Sequence, residues 1–152
     1  MSNYSQIIIQ IVFAVRGRQS LIKPDWEERL YQYISGIVRG KNQKLLAING
    51  TENHIHILVG LEPSCCLSDL VREIKKASNE FINENKLSSY KFSWQEGFGA
   101  FSYSKREMGN IIYYIDNQKQ HHKSQNFKTE YVGMLKSNAV KYDDRYLFDW
   151  NE

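Results

Sequence analysis

The chain has 152 residues and a mass of 17.9 kDa, enough for one compact domain over 1–152 that needs no disulfide or metal staple. An apolar fraction of 41% beside 24% charged residues excludes a disordered chain. No run approaches the roughly 20 apolar residues of a membrane span, and a net charge of +3 permits an acidic partner without requiring one.

The N-terminus has neither a basic start nor a cleavage site, so no signal peptide and a cytoplasmic location are expected. Cys65 and Cys66 are adjacent, which fits small, partly buried thiols in a reducing compartment. Residues 1–76 hold ten Lys/Arg against seven Asp/Glu, so the positive excess lies in the first half. A nucleic-acid site would therefore be a local patch.

Residues 7–15 are rich in β-branched side chains and predict a first strand. Pro24 opens a helix whose apolar face is Trp26, Leu30, Tyr33, Ile34, Ile37 and Val38, with Gly40 as the stop. Residues 45–48 and 55–61 read as two further strands, with the Asn49-Gly50 pair as the hairpin turn between them. Ser68 is the expected cap of a second helix that buries Leu70, Val71, Ile74, Ala77, Phe81 and Ile82. Residues 98–103 predict a fourth strand, and about 105–121 a third helix. A shorter amphipathic helix over 129–135 and an aromatic tail follow. The order strand, helix, strand, strand, helix, strand predicts an α+β, ferredoxin-like split βαβ domain: one antiparallel sheet with two helices on one face, plus an extra C-terminal helix. That fold serves many functions and decides none.

The four histidines fall in two pairs. His54 and His56 flank Ile55 in the third strand, and side chains at i and i+2 share a face. Two imidazoles side by side make half a divalent-metal site, or simply two polar residues on a solvated face. Tyr114 and Gln118 stand one helical turn apart, either in a shared site or with the tyrosine as a packing aromatic. Tyr113, on another face, is the better core candidate beside Ile112. His121 and His122 suit the cationic end of a helix or a DNA backbone contact. Glu52 and Asp116 read either as neighbours of the site or as solvated charge.

Taken together, His54-Ile55-His56 followed about sixty residues later by Tyr114-Ile115-Asp116-Asn117-Gln118 resembles the HUH endonuclease pattern. It is most similar to the single-tyrosine transposases of small bacterial insertion sequences and their repeat-associated relatives. Residues 94–102, the His121-His122 pair, and Tyr142-Asp143-x-Arg145-Tyr146-Leu147 carry the resemblance across nearly the whole chain. One position departs: Asn53 stands where many members have Asp, which removes a carboxylate beside the imidazoles but no ligand.

The resemblance implies a DNA transposase that cleaves and rejoins single-stranded DNA at hairpin-bearing element ends through a covalent 5′-phosphotyrosine. It implies Tyr114 as the nucleophile and His54, His56 and Gln118 as ligands of Mg2+ or Mn2+. Nitrogen ligands by themselves favour manganese, zinc or cobalt over magnesium. It also implies a homodimer, with the tyrosine helix of one subunit completing the other's histidine site and Gly109 as a hinge. For DNA contact, Arg16, Arg18, Lys75 and Lys76 are the candidates from the basic first half. The competing readings are a domesticated HUH nicking endonuclease, a non-catalytic ferredoxin-like nucleic-acid-binding module, and a metal-storage or metallohydrolase protein.

Overall fold

The computed structural model describes residues 4–152. Its sheet is built from β1 (Ile8–Ala14), β2 (Lys44–Gly50), β3 (His54–Gly60) and β4 (Gly99–Tyr103), in the order β2-β3-β1-β4 and antiparallel throughout. This is the split βαβ arrangement expected from the order of elements. The central strands β1 and β3 are buried on both faces, so their sequences lack a solvated side.

Helices α1 (Pro24–Gly40) and α2 (Leu67–Glu84) pack side by side on one face. Pro24 sits in the first turn of α1, where its missing N–H costs nothing. The buried stripe of α1 is Trp26, Leu30, Tyr31, Ile34 and Val38. Tyr31 rather than Tyr33 enters the core, while Tyr33 stacks on Phe81 at 4.1 Å near the surface. From α2, Leu70, Val71, Ile74 and Ile82 meet Ile55, Ile57 and Val59 of β3 in the same core. Residue 66, not Ser68, occupies the N-cap of α2, and no side chain caps that end.

The hairpin between β2 and β3 also differs from expectation. Asn49 and Gly50 are still strand residues, paired with His56 and Ile55, and the turn is Thr51–Asn53. Gly50 is required by close packing instead: a Cβ there would collide with the His54 carbonyl.

The opposite face is covered by the C-terminal half. Helix α3 (Met108–Asp116) lies on β2 and β3, with Met108, Ile111, Ile112 and Ile115 against Leu58 and Ala47. A short α4 (Gln118–His121) follows after Asn117, which breaks the expected single helix at φ −104°, ψ 24°. Helix α5 (Phe127–Ser137) begins at Asn126, whose side chain accepts the Thr129 N–H at 2.9 Å. Phe127, Tyr131 and Leu135 repeat every fourth residue and bury one stripe of α5. The tail packs Phe148 and Trp150 against Phe127 and Tyr131.

Gly99 in β4 admits α5. A Cβ there would stand 2.5 Å from the Tyr131 hydroxyl oxygen and 2.7 Å from Cε1 of the same ring. Tyr131 is hemmed in by Phe127, Phe148 and Trp150 and has little room to yield. Gly99→Ala is therefore expected to lower stability by about 1–3 kcal/mol in denaturant melts, as overpacking does. An unchanged midpoint would show that α5 is not seated against β4 as described.

Candidate active site

The alternation of β3 sends Ile55, Ile57 and Val59 to the α1/α2 core and His54 and His56 to the other face. That other face is not solvated. Both imidazoles are fully buried beneath α3, α4 and α5. A buried imidazole needs a partner at each nitrogen, and both have them.

On one side, His54 Nδ1 lies 2.7 Å from Asn53 Oδ1, and His56 Nδ1 lies 2.8 Å from the Gln10 amide nitrogen. Tyr103 donates its hydroxyl to Gln10 Oε1 at 2.8 Å. Phe127 stacks on the His54 ring at 3.9 Å and 8°. On the other side the Nε2 atoms converge. His54 Nε2 is 3.2 Å from Gln118 Oε1 and 3.2 Å from Glu130 Oε1, and His56 Nε2 is 3.2 Å from the same Glu130 oxygen. His122 Nε2 reaches that oxygen at 3.0 Å. Glu130 Oε2 accepts from Gln118 Nε2 at 2.9 Å and from the Tyr114 hydroxyl. Tyr114, His54, His56 and Gln118 thus meet within one chain. A cleft of about 420 Å³, lined by Tyr114, Glu130, Gln10 and Tyr103, reaches the Tyr114 side of the cluster, while His54, His56 and Gln118 stay buried behind it.

Tyr114 and Gln118 keep their one-turn spacing across Asn117 because β2 anchors the junction. Asn49 donates to the Asp116 carbonyl at 3.1 Å, and Lys119 donates to Asn49 Oδ1 at 3.0 Å. Lys119 also pairs with Glu27 at 3.3 Å, tying α4 to α1.

Burial pushes the His54 imidazole down to about 4; the Glu130 carboxylate, which only a protonated ring could bond, opposes this, and the His56 imidazole adds to the drop. Burial alone would raise the Glu130 carboxyl, but His56 first, then the facing nitrogens of His122, His54 and His56, hold it well below the usual carboxylate range. Burial, then the Glu130 carboxylate, holds the Tyr114 phenol above its ordinary range. An unaided Tyr114 therefore keeps its proton, and a nearby positive charge would favour losing it.

The donors suit a divalent cation. Asn53 Nδ2 donates to the Trp150 carbonyl at 3.1 Å, so Asn53 Oδ1 faces His54 and the Nδ1 nitrogen carries the proton. A neutral His54 then aims its Nε2 lone pair at the oxygen of the Gln118 amide. The donor atoms of His54, His122 and Glu130 lie within 4.8 Å of one another.

Several expectations change. Tyr113 is 70% exposed and is no core residue; Ile115 takes that role. His122 belongs to the cluster instead of a helix-end surface, and His121 stacks on Tyr114 at 4.5 Å. Glu52 and Asp116 are exposed. Asn53, despite lacking a carboxylate, orients His54 through its amide. Glu130 is the member of this cluster that sequence reasoning missed. Its signal was its place on the flank of the Phe127–Tyr131–Leu135 stripe, three residues after Phe127.

Of the candidate DNA contacts, Arg16 and Lys76 are exposed, and Arg18 reaches the Glu152 carbonyl at 2.8 Å. Lys75 donates to the carbonyls of Gln95 and Gly97 and lies over the Phe13 ring. Burial lowers it to about 8, against the pull of Glu96 and with the push of Arg16. Lys75 and Lys76, with Arg72, Trp94 and Phe98, line a second cleft of about 470 Å³ away from the histidines. Among the described residues, no helix is long and apolar enough to cross a membrane.

A family model described as "Transposase IS200 like" matches residues 3–118. No curated protein matches the chain. Among solved structures, a REP-associated tyrosine transposase bound to a REP hairpin superposes with a TM-score of 0.60 at 19% identity, covering 100% of this chain and 98% of its own. A candidate transposase from Deinococcus radiodurans R1 superposes with a TM-score of 0.62 at 18% identity, covering 78% of this chain and 95% of its own. At such identities the two structures show a shared fold.

In metal-free protein, the unfolded chain takes up a proton on His54 near pH 6.5, while the folded chain refuses it until about pH 4. Stability present above pH 6.5 is lost as pH falls through that window, by up to about 3 kcal/mol. The depressed Glu130 carboxyl extends the loss in the same direction at lower pH. Melting temperature should therefore fall from pH 6.5 to 4, and less steeply in His54→Gln. Equal slopes for parent and variant would contradict a buried neutral His54.

Proposed function

Because the chain belongs to the IS200-like transposase family, we propose that Tyr114 is the nucleophile of a cleavage and rejoining reaction on single-stranded DNA with hairpin ends, assisted by Mg2+ or Mn2+ at His54, His56 and Gln118. The observation that carries this is the meeting of the four side chains in one protomer, with Tyr114 on the wall of an open cleft.

Tyr114 Oη attacks the scissile phosphorus, the bond to the bridging 3′ oxygen breaks, and a 3′-OH leaves. The strand stays joined to Tyr114 through its 5′ phosphate. Attack by another 3′-OH reverses the step and frees the phenol, so the phosphodiester is conserved without a nucleotide cofactor. The cation supplies positive charge where negative charge grows on the phosphate. Gln118 and the two imidazoles present neutral donors to it. Glu130 Oε2 accepts a hydrogen bond from Tyr114 Oη; as the bond to phosphorus forms, the phenol proton is released to solvent, and the departing 3′ oxygen takes one up from solvent. His121, stacked on Tyr114, limits rotation of the ring.

DNA binding is assigned to Arg16, Arg18, Lys75 and Lys76; Lys75 and Lys76 line the cleft shared with Trp94 and Phe98, and Arg16 is close enough to Lys75 to act on its charge. Lys75 steers the 95–97 loop through its carbonyl contacts, while Lys76 and Arg16 are free to meet phosphates. The REP hairpin held by the structural neighbour supports a hairpin ligand for this chain. The active site is read as complete in cis; a homodimer would then place two finished sites side by side without exchanging helices.

Incubation with hairpin-bearing single-stranded DNA and Mn2+ should give a covalent protein–DNA band on a denaturing gel. Tyr114→Phe and chelation should abolish it, and Tyr113→Phe should keep it. An adduct surviving in Tyr114→Phe sinks the assignment of the nucleophile. No adduct at all, with DNA still bound, favours the non-catalytic binding module. Cleavage without longer rejoined strands favours a nicking endonuclease.

Mixing Tyr114→Phe with His54→Ala chains should rescue nothing. Recovery of cleavage would establish exchange of the tyrosine helix between subunits.

A further inference from the structure

Residues 119–152 lie beyond the stretch matched by the family, yet they deliver a carboxylate and an imidazole to the same point: Glu130 from α5 and His122 from the end of α4. The Glu130 side chain is only 1% exposed, so its charge must be answered from within the protein.

Proton placement around it is constrained. Asn53 fixes the His54 proton on Nδ1, leaving a lone pair on Nε2 in the neutral ring. Gln118 gives its amide nitrogen to Glu130 Oε2, which can only accept, so Gln118 turns its oxygen to His54. His54 Nε2 thus faces two acceptor oxygens, Gln118 Oε1 and Glu130 Oε1, each at 3.2 Å, with no hydrogen to place between them. Lone pairs gathered so closely repel one another unless a positive charge lies among them. The spacing fits one. Ligands about 2.1 Å from a common ion stand about 3.0 Å apart at a right angle and about 3.4 Å apart at the tetrahedral angle.

The two carboxylate oxygens have separate neighbours. Oε1 faces the Nε2 atoms of His54, His56 and His122; with the Gln10 amide nitrogen at His56 Nδ1, the His56 hydrogen sits on Nε2, and Gln10 must turn its amide for that nitrogen to meet a cation. Oε2 faces the Tyr114 hydroxyl and the Gln118 amide. We infer that Glu130 couples the cation to the nucleophile: Oε1 completes the donor set of His54, His56 and Gln118, and Oε2 holds Tyr114 Oη at a set distance from the ion. The inference rests on the reading of this cluster as a cation site. His122 acts through Glu130, bracing Oε1 from the side of α4. One carboxylate plus imidazoles also tilts the site toward Mn2+ over Mg2+.

The test is calorimetric titration of the full chain with Mn2+, together with the visible absorption spectrum of the Co2+ form, for the parent, Glu130→Gln, Glu130→Asp and His56→Ala. Glu130→Gln should bind Mn2+ about 10–100-fold more weakly or worse and should change the Co2+ spectrum. At saturating Mn2+ its adduct formation should stay about tenfold or more slower, because Tyr114 is no longer held. Glu130→Asp keeps the charge on a shorter arm and should fall between the two. If the parent binds Mn2+, His56→Ala does not, and Glu130→Gln matches the parent in affinity and spectrum, the role of Glu130 is overturned while the cation site stands. A parent that binds neither ion overturns the cation site itself and this inference with it. Should Glu130→Gln fail to fold, Glu130→Asp decides: parent-like affinity and spectrum overturn the inference.

Discussion

The site depends on burying two imidazoles in an inner strand. Burial removes water from four ring nitrogens at once, and each then needs a protein partner. His54 and His56 find theirs on every side: Asn53 and Gln10 behind, Gln118 and Glu130 in front. Helices α4 and α5 supply the partners in front, and apolar contacts seat α3 and α5 around them. The buried stripes of helices α1 and α2 on the other face supply the backing.

The electrostatics are one-sided by construction. Three imidazoles surround one carboxylate oxygen, and the second carboxylate oxygen restrains a phenol. Such a network is costly if any member is left unsatisfied and rigid if all are satisfied. The supporting contacts are spread widely in sequence. Asn53 is held by the carbonyl of Trp150, and the first N–H groups of α5 are held by the Glu152 carboxylate at 2.9 and 3.2 Å. The tail is thus part of the support beneath His54.

The sheet order and the main helices were legible because they rest on local signals: β-branched runs in β1 and β3, Pro24 at the start of α1, and the four-residue repeat of α5. Spacing showed that His54 and His56, and Tyr114 and Gln118, share a face, since residues two apart in a strand and four apart in a helix do so; only the family resemblance joined the two pairs. Glu130 was not legible, because a glutamate in an amphipathic helix is ordinarily solvated, and only tertiary packing over β3 buries it. The same cause misplaced His122 and Tyr113. Which side of α3 turns inward is decided by Leu58 and Ala47 beneath it, residues from distant parts of the chain. The Asn49-Gly50 signal misled because Gly50 is needed for close approach of backbone, a demand that looks the same in sequence as a turn.

Because β3 is covered on both sides, its two sets of side chains are not interchangeable. Slipping the strand by one position would thrust imidazoles among Ile11, Phe13 and Ile34 and leave isoleucines facing a carboxylate. Descendants of this chain can therefore exchange residues within β3, but they cannot lengthen or shorten it. Insertions and deletions would have to accumulate elsewhere, in connections such as the exposed stretch around residues 88–91, where no alternation is at stake.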